Sequence, residues 1–359
     1  MISKNFFESL EAVAFDRGLD IADVLKKVEI AMAVASRDNG YSGDIKIDFD
    51  SDKNKIRVFE YLYVVEEIDP DGGKGQITLE EALERKDKVK VGSVIKNEVN
   101  ISSFGRKSAS KFKQTFMSGL KELEREEAYI YFADKVGEIV NGIVVSNTNG
   151  FISFDIGKNN LAHMPETEGI PGEEYIPGDT KKVYISKVEK TTKGPKVFIT
   201  RKNKEIVKRL FELNVPEIAN GTVEIMGISR DPGSRSKVGV LSLDPNVDAK
   251  GACVGNAGLR VKSINMVLND EKIDIFTWKD TPEELIAEAL LPAQVASVMI
   301  DLKTRSAVVI VRDEQYSLAI GKSGQNARLA AYAIGWKIDI KKISDAKAEG
   351  INFTFNIGK

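Results

Sequence analysis

From residue 202 onward the apolar positions of this chain are laid out twice in one order. Glu205 to Leu213 has helical spacing. Thr222 to Ser229 and Lys237 to Leu243 read as strands, and Gly251 to Lys262 reads as a short helix, a Gly-x-x-Gly and a second helix. The order returns in Pro282 to Leu290, Val295 to Leu302, Ser306 to Arg312 and Ser317 to Arg328. Both copies close on nearly the same strand, Glu271-Lys272-Ile273-Asp274-Ile275 and Trp336-Lys337-Ile338-Asp339-Ile340. Self-similarity at a fixed offset marks a repeated supersecondary unit. The units fall at 202–280 and 281–345, with a short tail at 346–359. The connection from Ile275 to the helix at Pro282 is short, which predicts one continuous surface across both units.

Residues 135–201 have another pattern. Glu138 to Ser146, Gly150 to Ile156, Lys181 to Val188 and Lys196 to Arg201 are short β-rich runs. Turn clusters such as Gly157-Lys158-Asn159-Asn160 and Ile176-Pro177-Gly178-Asp179 separate them. Regular short strands with turn signals predict a small barrel of OB type. Residues 1–134 mix both periods. Ile21, Val24, Leu25, Val28, Ala31, Met32 and Ala35 follow helical spacing, Ile45, Ile47 and Phe49 alternate, and Ile56 to Val65 is apolar on both faces, as in a central strand. Asp69-Pro70-Asp71-Gly72-Gly73 is a turn. Phe112, Phe116, Leu120 and Leu123 form an apolar stripe on a long helix leading to the barrel. The fold expected is multidomain α+β: an N-terminal α/β domain, a small OB-type β-barrel and two tandem α+β units.

Composition narrows the class. The chain of 359 residues is 42% hydrophobic and 30% charged, ordinary globular usage. No apolar run approaches the ~18 residues that span a bilayer. The start, Met1-Ile2-Ser3-Lys4-Asn5-Phe6-Phe7-Glu8, lacks the apolar core of a signal peptide. With one Cys and one His, no internal disulfide and no Cys- or His-rich metal site is expected. These features predict a cytoplasmic monomer without metal or cofactor. Charge is uneven: residues 1–134 hold 21 basic against 26 acidic side chains, 135–200 hold 8 against 8, and 201–359 hold 23 against 20. The acidic first part suits a protein partner better than nucleic acid.

The glycine pairs carry the chemistry. A KH-type module grips about four nucleotides through a GXXG loop between two helices. Glycine is needed because phosphate must approach the main chain where any Cβ would obstruct it. The loop opens a helix whose N-terminal amides favour anions. The expected RNA-binding set is therefore Gly255, Asn256, Ala257 and Gly258 with Arg260 and Lys262, and Gly321, Lys322, Ser323 and Gly324 with Gln325, Asn326 and Arg328. A lone GxxG often just packs two helices. Two copies in one frame argue for a clamp. A phosphate-binding NTPase loop is excluded, because that motif needs glycine where Tyr316 stands. In the barrel, Phe151, Phe154 and His163 are candidates for a base-stacking platform; the competing reading makes the two rings core. No catalytic constellation is present: nothing flanks His163 as a triad would require, and Cys253 reads as a packing residue.

Val215-Pro216-Glu217-Ile218, Asp231-Pro232-Gly233-Ser234-Arg235-Ser236-Lys237-Val238, Gly251-Ala252-Cys253-Val254-Gly255 and Leu318-Ala319-Ile320-Gly321-Lys322-Ser323-Gly324-Gln325-Asn326 resemble the bacterial NusA family of transcription factors. The resemblance covers essentially the whole chain. It implies a non-enzymatic factor that rides on core RNA polymerase beside the RNA exit channel, binds nascent single-stranded RNA, promotes pausing, and modulates termination and antitermination with other elongation factors. It also aligns Gly150-Phe151, Phe154 and His163 with the RNA-facing set of the ribosomal-protein barrels. Ala249-Lys250 departs from the Pro-Val expected there. The chain stops soon after the second repeat, which implies none of the functions that need the acidic C-terminal repeats of some relatives. An RNA-processing enzyme with KH and OB modules and a ribosome-associated RNA-binding protein are the alternatives. The first needs a catalytic core larger than 134 residues.

Overall fold

The computed structural model describes residues 6–50 and 55–357. Met1–Asn5 and the side chains of Phe49 and Ile56 lie outside the described set. The chain divides into two compact units, Met1–Tyr131 with Lys190–Pro195, and Phe132–Glu189 with Lys196–Lys359.

The first unit holds α1 (Phe6–Arg17), α2 (Ile21–Arg37), β1 (Asp44–Asp50), β2 (Lys55–Val65), β3 (Gln76–Thr78), α3 (Leu79–Arg85), β4 (Val94–Glu98) and the start of α4 (Arg106–Asp134). The doubly apolar run becomes the central strand: β2 is antiparallel to β1 and β4 and parallel to β3. The Asp20 carboxylate accepts from the Ala22 N–H at 2.7 Å and caps α2. Helical spacing then buries Val24, Val28, Ala31, Met32 and Ala35 along one face. Leu120 is buried with Leu10, Ala14, Val24 and Val28, and Phe112, Phe116 and Leu123 pack at its edge. The aromatic stripe of α4 is core. Sequence reading missed β3, α3 and β4, because three- to seven-residue elements with mixed charge carry too few periods to register, and it missed the 12-residue α1, only two of whose residues, Leu10 and Ala14, are buried.

The barrel comprises β5 (Ile139–Thr148), β6 (Phe151–Asp155), β7 (Leu161–Pro165), β8 (Thr180–Thr191) and β9 (Gly194–Thr200), in the order β7-β6-β5-β8-β9. It nearly closes between its ends: the Arg201 N–H donates to the Glu168 carbonyl at 2.9 Å, and Lys202 Nζ to the Thr167 carbonyl at 3.3 Å.

The repeats follow. The first has α5 (Glu205–Asn214), α6 (Pro216–Ala219), β10 (Val223–Asp231), β11 (Arg235–Ser242), α7 (Ala249–Val254), α8 (Leu259–Val267) and β12 (Lys272–Thr277). The second has α9 (Pro282–Ala289), β13 (Val295–Asp301), β14 (Ser306–Val311), α10 (Tyr316–Ile320), α11 (Gln325–Ile334) and β15 (Lys337–Lys342). In each sheet the middle strand is antiparallel to the first and parallel to the last. The tail is not a plain extension. It forms α12 (Ile343–Ala348), and the Asn356 side chain brackets Val298, accepting from its N–H at 3.0 Å and donating to its carbonyl at 2.9 Å.

Barrel and repeats are bolted together. Arg201, fully buried, makes a bidentate pair with Glu173 at 2.7 Å for each bond and donates to the carbonyls of Lys182 and, at 2.8 Å, Val267. Arg230 pairs with buried Glu271 and donates to the carbonyls of Arg201 and Asn203 at 2.8 Å. Each charge is met by an opposite charge and by further hydrogen bonds, to backbone for Arg201, Arg230 and Glu271 and to the Tyr175 hydroxyl for Glu173, which is what makes ion burial tolerable. The second repeat lies across the first. Ser229 Oγ donates to the Leu329 carbonyl at 2.6 Å, and a Cβ at Gly227 would collide with the carbonyl oxygen of Ala333. Strand β10 therefore accepts α11 directly.

Candidate nucleic-acid interface

The two loops share one backbone. Gly255 and Gly321 have φ/ψ of 74/175° and 76/172°. Ala257 and Ser323 sit at 49/27° and 51/32°, and Gly258 and Gly324 at 74/14° and 74/12°. Left-handed conformation costs a non-glycine residue roughly 1–2 kcal/mol. Both copies hold one such residue, a strain of the sort that collects at functional sites. The glycines have separate reasons. A Cβ on Gly255 would lie 2.6 Å from Arg260 Cγ, and one on Gly321 would lie 2.8 Å from Asn326 Cβ, so the first glycine makes room for a side chain folding back over it. Around Gly258 and Gly324 no atom lies within 4 Å of the Cβ position, which leaves the main chain open to an incoming phosphate. Helices α8 and α11 start there and direct their N-terminal amides to the same place.

The expected contacts divide. Asn256, Ala257, Lys262, Lys322 and Ser323 are exposed. Lys262 and Lys322 have no ion pair among the described residues. Three expectations need correction. Arg260 Nη1 donates to the Ala252 carbonyl at 2.6 Å and pairs with Glu217 at 2.8 Å, so this nitrogen is committed to closing the loop and not to phosphate. Asn326 is buried and donates to the carbonyls of Leu290 and Ala319 at 3.0 Å, which makes it a second closure. Gln325 Nε2 donates to Asp231 at 2.6 Å and Ser234 at 2.8 Å, joining the second loop to the hairpin between β10 and β11. Arg328 is half exposed and stands 3.5 Å from the Asp231 carboxylate. Spacing placed these side chains after the loop but could not tell which turned inward.

Beside the first loop runs a groove of about 370 Å³. Val254, Val261, Ile273 and Ile275 line its apolar floor, Arg235, Lys250 and Asp274 its polar wall, and Leu291 and Pro292 its end. Arg235 grips Asp274 with bonds of 2.9 and 2.7 Å. Ile320, Ala327 and Ile338 are the matching half-buried positions of the second repeat. Lys237 is buried beneath the junction, donating to the Leu291 carbonyl at 2.8 Å with Asp274 at 3.5 Å. Burial pulls its ammonium down to about 8. Cys253 is buried, its thiol pushed up to about 12 by that burial, and is a packing residue.

On the barrel the expected platform is overturned in part. Phe154 is fully buried and meets Tyr175 edge-on at 6.1 Å, so its face is closed to any base. Phe151 is 50% exposed and His163 is exposed, with Nδ1 2.9 Å from Ser153 Oγ. The residue sequence reading missed is Phe198. Lys196 Nζ lies 4.7 Å and Lys187 Nζ 5.9 Å from its ring centroid. Phe198 and His163 share a cleft with Pro165, Ser186 and Lys202 at the seam of the barrel. Alternation carries the missed signal: buried Val197 and Ile199 put Phe198 on the outer face.

The same sequence pattern recurs in known proteins. Residues 5–126 match the NusA N-terminal domain, 201–278 the NusA-like first KH domain, and 282–348 the NusA-like second KH domain. The chain is 41% identical over 351 residues to the transcription termination/antitermination protein NusA of Bacillus subtilis, covering 98% of this chain and 94% of that protein. The chain belongs to the NusA family. Its identity to NusA of Halalkalibacterium halodurans is 40% over 98% of this chain and 91% of that protein. With NusA of Thermus thermophilus it is 36%, over 96% and 92%. The repeats are KH domains, RNA-binding modules, and the barrel between them and the NusA N-terminal domain is OB-like. Among the described residues no helix is long and apolar enough to cross a membrane.

Proposed function

We propose that this NusA-family chain is a non-catalytic cytoplasmic transcription factor. In this reading it docks on core RNA polymerase through residues 1–134 and holds nascent single-stranded RNA across its two KH loops, promoting pausing and modulating termination and antitermination. The observation that carries the reading is the pair of loops with matched dihedral angles, fixed on one body by the packing of α11 on β10. Two linked clamps turn the second grip into an intramolecular event and raise affinity without new contacts. Strand backbone runs over Gly258 and Gly324, Lys262 and Lys322 neutralise phosphate, and bases lie on Val254, Val261 and Ile273 and on their counterparts Ile320, Ala327 and Ile338. Phe198, flanked by Lys187 and Lys196, adds a stacking surface on the barrel in place of Phe154.

The test couples two assays. The purified chain should retain core polymerase in a pull-down, residues 1–134 alone should do so without RNA, and the full chain should lengthen hairpin pauses. Absence of polymerase retention by the full chain would remove the docking half of the proposal. Retention by 135–359 and not by 1–134 would reassign it.

A further inference from the structure

We infer that RNA held by the first KH loop continues along the exposed face of α8 into the cleft between this KH domain and the barrel, where Met266, Asn141 and Lys182 receive it. The inference rests on the reading of the KH loops as RNA clamps. Helix α8 leaves the loop directly. Leu259, Lys262, Ser263 and Met266 are all exposed and are spaced three, four and seven apart, so they form one line down the helix. Two apolar members of that line, Leu259 and Met266, are 62% and 67% exposed. The line runs into a cleft of about 500 Å³ whose near wall is Ser263, Met266, Val267 and Asn269. Its far wall is barrel: Asn141 from β5, and Thr180, Lys181 and Lys182 from β8.

The cleft is built in advance. Arg201 donates to Lys182 on the barrel wall and to Val267 on the helix wall, so one buried guanidinium sets the separation of the two domains at this point. Its electrostatics suit a phosphate backbone. Lys262 has no ion pair among the described residues, and the Lys182 ammonium faces the neutral amide of Asn141 at 3.3 Å. The acidic groups are already matched: Glu173 by Arg201, and Glu173 and Asp179 by Lys181 at 3.5 and 3.8 Å. Ammonium groups outside any ion pair among the described residues, continuous with the KH loop, supply the positive groove that tracks a single strand, and the Met266 thioether offers an adaptable apolar contact for a base.

The experiment compares fluorescent single-stranded RNAs of increasing length on the full chain and on the variant Lys182→Glu with Met266→Glu. Leu213→Glu, an exposed position on α5, controls for added negative charge. RNAs just long enough for the two KH loops should bind parent and variant alike. Longer RNAs should bind the parent more tightly, and the variant should lose that gain, roughly tenfold at low salt, with a shallower salt dependence. Lys182→Ser, which cannot repel RNA, should lose part of it. Melting temperatures should match throughout. Equal binding of long RNA by parent and variant, or an equal loss in the control, overturns the inference. So does a variant that keeps RNA binding and loses polymerase, which would make the cleft a protein site. If the parent binds no RNA of any length, the clamp reading itself falls and takes this inference with it.

Discussion

Arg260 and Asn326 stand 66 positions apart and close the same loop in two copies of one fold. Each is the second residue after the loop's last glycine. Each folds back over the first glycine and donates to a carbonyl of the preceding short helix, Ala252 for Arg260 and Ala319 for Asn326. A long charged side chain and a short amide have been fitted to one task. The task is structural, since each bond ties the helix after the loop to the one before it.

That assignment separates two cations close in sequence. Lys262→Ala should weaken RNA binding and flatten the plot of log affinity against log salt by roughly 0.7, one phosphate's worth for a single strand. Arg260→Ala should leave the slope unchanged and lower stability by about 1 kcal/mol, its ion pair being partly solvated. Asn326→Ala strands buried carbonyls and should cost about 1–3 kcal/mol. Salt titrations and denaturant unfolding on the three variants check this.

The two phenylalanines of the barrel should part in the same way. Phe154→Ala opens a cavity in the barrel core and should cost about 3–5 kcal/mol of stability. Phe198→Ala should leave melting unchanged and weaken RNA binding by about 1–3 kcal/mol. Melting and RNA affinity measured on both variants decide it. An unchanged melting temperature for Phe154→Ala contradicts its core role.

Gly227→Ala probes the linkage of the KH domains. The added methyl meets the Ala333 carbonyl and should push α11 off β10, an overpacking worth about 1–3 kcal/mol. RNA long enough to occupy both loops should lose affinity, and RNA that fills one loop should not. Equal losses for both lengths would show that the linkage plays no part in binding.

Lys237 gives a pH dependence with a definite sign. Its folded value of about 8 lies below the ordinary 10.5, so between these values the unfolded chain carries a proton that the folded chain has released. Stability therefore rises with pH across that window. Lys237→Met removes the contribution. The difference in unfolding free energy between parent and variant should shift in the parent's favour from pH 8 to pH 10, and a flat difference contradicts the burial account.

How much of this was legible in the sequence depends on what each residue does. The repeat could be read because the apolar periods of α8 and α11 and the strands after them are long and nearly identical. Ile56 to Val65 could be read as a central strand because both its faces are apolar. The elements β3, α3 and β4 were not legible, being short. Within the site, the glycines were visible because positive φ and close approach restrict residue type. The roles of Arg260, Gln325 and Asn326 were hidden, since spacing fixes a side chain's position on a helix and not the partner it turns to. Phe154 was misjudged because two aromatics three apart on one strand face opposite sides unless the strand bends, and β6 keeps Phe154 inside.

The most direct test of the account replaces Gly258 and Gly324 by aspartate, singly and together, and measures single-stranded RNA affinity on folded protein. Both positions have open space at Cβ, so the cost to the fold is the strain of a non-glycine residue at φ 74°, roughly 1–2 kcal/mol for each change, while a carboxylate there repels phosphate and obstructs the main chain. Each single change should weaken binding, and the pair should reduce it to the level of the barrel alone. Parental affinity in the folded double variant would contradict the claim that these loops hold RNA.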